Sequence, residues 1–152
     1  MSAWKFKSWP ILVVVLLSLL SGCATVPMAS LEKDNQAKTF QAPPHESRIY
    51  IYRNENMGGA VPMAVSVDGK TVGQTGPKTF FMLDVTPGKH RIESLTENVA
   101  SLTLSTEPGR SYYVWQEVKM GLWSARSALH EVPAAQGQKG VKECKLAQPE
   151  QP

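Results

Sequence analysis

The sequence predicts a mainly β fold: a small antiparallel β-sandwich with a short C-terminal helix, preceded by a cleaved signal peptide and a flexible tether. Three observations predict it. From Arg48 onward, residue types alternate with the period of two that a pleated strand requires. Turn signals recur at short intervals, among them Asp68-Gly69, Pro87-Gly88 and Pro108-Gly109. Ahead of all this, a cationic start and an apolar run stop at Cys23.

Met1 to Pro10 carries Lys5 and Lys7 and no acid, Ile11 to Leu20 is apolar except for Ser18, and small residues follow. These are the n-region, h-region and cleavage region of a secretory signal. A run from Ile11 to Leu20 rises only about 15 Å as a helix, half of a hydrocarbon core of about 30 Å, so a permanent span is not expected. Its closing tetrapeptide, Leu20-Ser21-Gly22-Cys23, resembles the lipobox of bacterial lipoprotein precursors at every position. The resemblance implies a diacylglyceryl group on the Cys23 sulfur, cleavage before it, and acylation, by palmitate for example, of the new amino group. Cysteine suits the chemistry because a thiolate is a good nucleophile toward a lipid donor. Two or three chains make a lasting anchor where one holds only reversibly. Ala24 in place of Asp matches lipoproteins sent to the outer membrane, here facing the periplasm.

Thr25 to Ser47 is polar, contains Pro27, Pro43 and Pro44, and shows no sustained apolar period, which reads as a tether. Leu31 to Ala37 offers at most a turn of helix, marginal by itself in water. The expected organisation is therefore a signal peptide over 1–22, a lipidated N-terminus and flexible tether over 23–47, a β-sandwich domain over 48–147 and a polar tail over 148–152.

Arg48-Ile49-Tyr50-Ile51-Tyr52-Arg53 alternates aliphatic with aromatic and opens the domain as a strand. Glu55 to Pro62, with Gly58-Gly59, is a loop. Met63 to Val67, the Asp68-Gly69 turn and Thr71 to Gly73 form a hairpin. Thr79 to Val85 and His90 to Leu95 are strands around Pro87-Gly88. Val99 to Thr106 places Ala100, Leu102 and Leu104 on a buried face and Ser101, Thr103 and Ser105 on a wet one. Ser111 to Lys119 is an aromatic strand, and Leu129 to Val132 a last short one. Beyond Pro133, Ala134, Gly137, Val141 and Cys144 recur at roughly helical spacing, although Gly137 and Gly140 each weaken such a helix by about 1 kcal/mol.

Two stretches carry a family resemblance. Val65-Ser66-Val67-Asp68-Gly69-Lys70-Thr71-Val72-Gly73, with Leu83-Asp84-Val85-Thr86-Pro87-Gly88-Lys89-His90, resembles the DUF2846 family of bacterial lipoproteins and, more distantly, PEGA-type β modules. The opening strand Arg48 to Arg53 fits as well. The similarity covers about Arg48 to Leu146. It implies a small β-sandwich on a lipid tether and carries over no catalytic residues.

The chemistry-bearing residues are sparse. The formal charge is +3, from 16 Lys and Arg against 13 Asp and Glu. With Lys5 and Lys7 in the leader the remainder holds 14 against 13, which leaves no nucleic-acid footprint. No nucleophile elbow, zinc-binding helix, phosphate loop or dinucleotide fingerprint is present, so no cofactor is expected. His45, His90 and His130 are too widely separated to form a local metal motif. If Cys23 becomes a thioether, Cys144 is the sole thiol left, either a small buried residue or a point of intermolecular attachment. Tyr112, Tyr113, Trp115 and Trp123 could stack a ligand, but a period-two strand must bury at least one of its faces. Candidate partner-binding residues are Met57, Gly58 and Gly59 in one loop, and Leu122 and Trp123 in another.

The leading expectation is a non-enzymatic binding or structural module of the bacterial envelope. It is anchored in the membrane through the lipid on Cys23 and engages an envelope protein, peptide or glycan through a loop or strand edge. The alternative is an envelope hydrolase or metal-dependent enzyme with a site assembled around His90 or His130.

Overall fold

The computed structural model describes residues 25–150. The expected leader, the expected lipidation site Cys23 and residues 151–152 lie outside the described residues. In chain order the elements are α1 (Leu31–Ala37), β1 (Ser47–Arg53), β2 (Met63–Val67), β3 (Lys70–Thr75), β4 (Thr79–Val85), β5 (Gly88–Leu95), β6 (Val99–Thr106), β7 (Ser111–Met120), β8 (Ala125–Val132), α2 (Ala134–Lys142) and β9 (Lys145–Leu146). They build two sheets, ordered β8-β7-β1-β4-β9 and β3-β2-β5-β6.

The expected sandwich is present, with one difference in its pairing. The second sheet is antiparallel throughout, but in the first β1 runs parallel to β7 and β4 parallel to β9. A parallel pair needs a long crossover. Between β1 and β7 the chain supplies it by building the second sheet and then returning.

β1 explains the layers. Its aliphatic residues Ile49 and Ile51 face the second sheet and join Val65, Phe81, Ile92 and Val114 in the core between the sheets. Its aromatic residues Tyr50 and Tyr52 face the other way, into a second cluster with Phe80, Tyr113, Val141 and Cys144 beneath the helices. A strand buried on both faces needs an apolar run rather than apolar–polar alternation, and the aliphatic–aromatic alternation of Ile49 to Tyr52 provides it. Tyr50 stacks on Tyr113, ring centroids 5.1 Å apart. The aromatic strand therefore serves the core at Tyr113, with Trp115 partly buried beside it.

The domain begins earlier than composition indicates. Ser30 caps α1 by accepting from the Lys33 N–H (3.3 Å), and the buried Asp34 accepts from the Leu146 N–H (2.7 Å). Lys38 pairs with Asp34 and donates to the Cys144 carbonyl, each at 2.7 Å. The Tyr50 hydroxyl donates to the Ala37 carbonyl (2.7 Å). A seven-residue helix too short to persist alone is thus held by tertiary bonds. Further upstream, Ala29 N–H reaches Leu146 O (2.9 Å) and Gln148 N–H reaches Pro27 O (2.8 Å). Much of 25–47 is domain rather than free tether. At the other end, the Glu150 N–H bonds Val72 O (2.8 Å), which attaches the start of the polar tail to the edge of β3.

The glycines of α2 are contact points. Gly137 and Gly140 are buried, and a Cβ on either would come within 3.0 Å of Tyr113 and Tyr52 respectively. They let the helix axis lie directly on the aromatic face of the sheet.

Candidate functional site: an apolar cleft at one end of the sandwich

β8 starts at Ala125, earlier than expected, because it pairs with β7 along its whole length, from Met120↔Ala125 to Tyr113↔Val132. The loop between them contracts to Gly121–Ser124. This turn faces the loop after β1, and a cleft of about 290 Å³ opens between them. Met57, Gly58 and Val61 line one side, Leu122 and Trp123 the other, and Val118 contributes from β7. Four of the five residues chosen from sequence thus meet in one place. Gly59 does not; it is turned toward the Asn56 carbonyl and Pro77.

Each wall is organised by one charged side chain. Arg53 continues the inward parity of Ile49 and Ile51 and is fully buried. Its guanidinium donates to the carbonyls of Val61 (2.8 Å), Gly58 (2.8 Å) and Met57 (3.1 Å), drawing the loop around itself. Burial pushes the Arg53 pKa down, partly opposed by the nearby charge of Glu55. Glu55 accepts from the Val118 N–H (3.0 Å); burial raises its pKa, and that hydrogen bond works against the rise. A buried charge is tolerated only when it is hydrogen-bonded, and here the loop carbonyls provide most of the bonds.

The opposite wall hangs on Glu97, in the turn between β5 and β6. Its carboxylate accepts from the N–H groups of Trp123 (2.9 Å), Ser124 (2.8 Å) and Leu122 (3.2 Å), which hold its pKa below the usual carboxylate range. Gly121 makes the turn possible, because a Cβ there would overlap the Ser124 carbonyl and the Glu97 carboxylate. Sequence reasoning missed both organisers. Arg53 carried a readable signal, a charge at a core-parity position of an apolar strand; Glu97 carried none.

Beneath the cleft the sandwich interior turns polar. Gln116, fully buried, accepts from Thr75 Oγ1 and donates to Ser94 Oγ (2.7 Å), which also accepts from Ser127 Oγ (2.8 Å). Asn98 donates to Ser127 O and accepts from Ser127 N–H, each at 2.9 Å, as a neighbouring strand would. These bonds join the two sheets at the end that carries the cleft.

The histidines lie elsewhere in the fold or on its surface. His45 is exposed. His90 is buried, with Nδ1 2.7 Å from Asp68 Oδ2 and Nε2 2.7 Å from the Thr86 carbonyl. It ties two turns together and keeps no ring nitrogen for a reacting group. Those contacts, His90 first and then the Arg91 N–H, lower the Asp68 pKa. His130 places Nε2 2.8 Å from Glu117 and tilts against the Trp115 ring. Each candidate histidine thus has a carboxylate, but among the described residues no group of three His, Cys, Asp or Glu is placed to hold a metal. Cys144 is buried under α2, and burial pushes its pKa up to about 12.

Among the described residues, a two-sheet module of nine strands, whose cleft is shaped by Arg53 and Glu97, defines the class of protein. The particular family follows from its sequence: the chain belongs to DUF2846, described as a protein of unknown function, which matches residues 44–128. It is also 34% identical over 137 residues to an "Uncharacterized protein" of Haemophilus influenzae, covering 89% of this chain and 82% of that one. The family match ends within β8, so α2 and β9 extend beyond it.

Proposed function

We propose that this chain is a lipid-anchored protein of the bacterial envelope, probing an apolar partner with the Met57–Trp123 cleft and performing no catalysis. The observation that carries the proposal is Leu20-Ser21-Gly22-Cys23, placed after a cationic n-region and an apolar run. Ala24 favours the outer membrane, with the domain in the periplasm. The cleft supports a binding role: its large side chains are apolar and exposed, Leu122 at 86% and Trp123 at 93%, on turns held in place by Arg53 and Glu97. Such patches on small domains mark interaction sites. The non-enzymatic reading draws support from His90, whose two ring nitrogens are both engaged.

Cys23→Ala tests the anchor. The expected result is an unprocessed precursor, or a soluble chain where the parent fractionates with membranes, together with loss of the diacylglyceryl mass. Unchanged processing and membrane retention would falsify the assignment.

A further inference from the structure

We infer that the partner of the cleft is the bilayer itself: the end of the sandwich bearing Met57, Met120, Leu122 and Trp123 rests in the headgroup–acyl boundary beside the lipid on Cys23. The inference rests on the lipid-anchor reading and deepens it.

A tether running from Cys23 to the first strand would let the domain stand well away from the membrane. The packing of residues 25–47 removes that slack. Ala29 and Pro27 are hydrogen-bonded to the C-terminal segment, and Thr25 and Val26 line a recess with Pro77, Lys78 and Thr79. Only Ala24 separates Thr25 from Cys23. Two residues reach about 7 Å at most. A lipid on Cys23 therefore brings the Pro77–Thr79 corner to the membrane surface.

Thr79 is the strand partner of Arg53, so Pro77–Thr79 sits where β1 ends. A Cβ on Gly59 would touch Pro77, and one on neighbouring Gly58 would touch Val118 and Ala125 of the cleft. The recess and the cleft share one end of the sandwich.

Eight large apolar side chains are exposed among the described residues, and Met57, Leu95, Val99, Met120, Leu122 and Trp123 are six of them. Leu95 pairs with Val99 across the turn that carries Glu97, and Glu97 binds the 122–124 backbone, so these two flank the tip of the β7–β8 turn. Scattered apolar residues need no explanation, but this concentration at the point of attachment does. The chemistry fits an interface. Tryptophan favours the headgroup level, and Lys119 and Arg126, strand partners behind the tip, can send their charges to the headgroups while their stems lie along apolar surface. The Glu97 carboxylate satisfies the turn's N–H groups, which would otherwise be costly to desolvate. Because the anchor holds the domain in place, the tip needs only weak affinity of its own.

The test uses the chain from Cys23 onward, which contains the whole described fold. Its Cys23 thiol is coupled to a maleimide lipid in phosphatidylethanolamine–phosphatidylglycerol vesicles; Cys144 is too buried to compete. Trp123 fluorescence is read as the difference between this chain and Trp123→Phe, a change at a solvent-exposed position that spares the fold. The expected result is a blue-shifted difference emission that lipids brominated on the acyl chain quench, with quenching lost in Leu122→Asp. A difference emission that brominated lipid does not quench overturns the inference, whether it lies at the water-exposed wavelength or is blue-shifted because a second copy or another protein covers Trp123. Coupling through maleimide separates the two failures. A chain recovered from cells without lipid on Cys23 refutes the natural anchor, while the quenching result still decides whether this end seeks a bilayer.

Discussion

Gly137→Ala is expected to destabilise the domain, even though alanine in a helix is ordinarily worth about 1 kcal/mol over glycine. The reason is the contact beneath it. A Cβ at this position would lie closer than 3.0 Å to both Cβ and Cγ of Tyr113. Rotating the ring clears Cγ substituents but not Cβ, which is fixed to the backbone of β7. Tyr113 is also 2% exposed and stacked on Tyr50, so the strand has nowhere to go. The helix must retreat by about 1 Å, loosening its packing on Tyr52 and around Val141 and Cys144. Overpacking costs about 1–3 kcal/mol, and a clash against backbone-fixed atoms belongs at the top of that range. Set against the propensity gain, the net loss is about 2 kcal/mol, or roughly 8 °C in Tm for a domain of this size. Thermal and urea unfolding followed by far-UV circular dichroism measure it, with Gln136→Ala, exposed on the same helix, as the control. A Gly137→Ala chain as stable as the parent, or more stable, would refute the account of α2 as a helix seated on the sheet through its glycines.

Two further predictions concern ionisation. The pKa of Glu97 is depressed in the folded chain by the Trp123, Ser124 and Leu122 N–H groups. A depressed carboxylate contributes its stabilisation above the unfolded value, about 4.3, and loses it as pH falls through the lower folded value. The amide NMR signals of Leu122 to Ser124 should therefore titrate with a midpoint below the ordinary glutamate value and cease to titrate there in Glu97→Gln; a midpoint at that ordinary value contradicts the cap. Cys144, pushed up to about 12 by burial, should resist iodoacetamide near pH 8 in the folded chain and react readily in urea. Rapid labelling of the native protein would show instead a reactive, accessible thiol.

The strands were largely legible because period two and the turn residues are local signals. β2, β4 and β6 fall where alternation places them, and the Asp68-Gly69 turn has positive φ at both residues, 52° and 76°. The ends of β8 were not legible. Ala125 to Ala128 have no marked alternation of their own and become strand by pairing with the last residues of β7. β9 is two residues long, too short for any period to register. The candidate loops were legible for a similar reason: Met57, Leu122 and Trp123 are apolar residues outside a strand pattern. Their convergence on one cleft was not, because it depends on how far apart two loops end in space.

By itself the sequence determined the β class, the opening strand, the positions of most turns, the kinship with DUF2846 and the two loops that carry exposed apolar residues. These follow from nearest-neighbour geometry, periodicity and kinship. Only the tertiary structure decided that β1 pairs parallel with β7, that α1 is held by Asp34 and Lys38 and shortens the link to Cys23, and that Gly137 and Gly140 are seats rather than weaknesses. It alone shows Arg53 and Glu97 shaping the cleft. Each of these depends on groups far apart in the chain meeting through desolvated hydrogen bonds or close packing, and no local pattern encodes which partner a buried charge or a bare backbone will find.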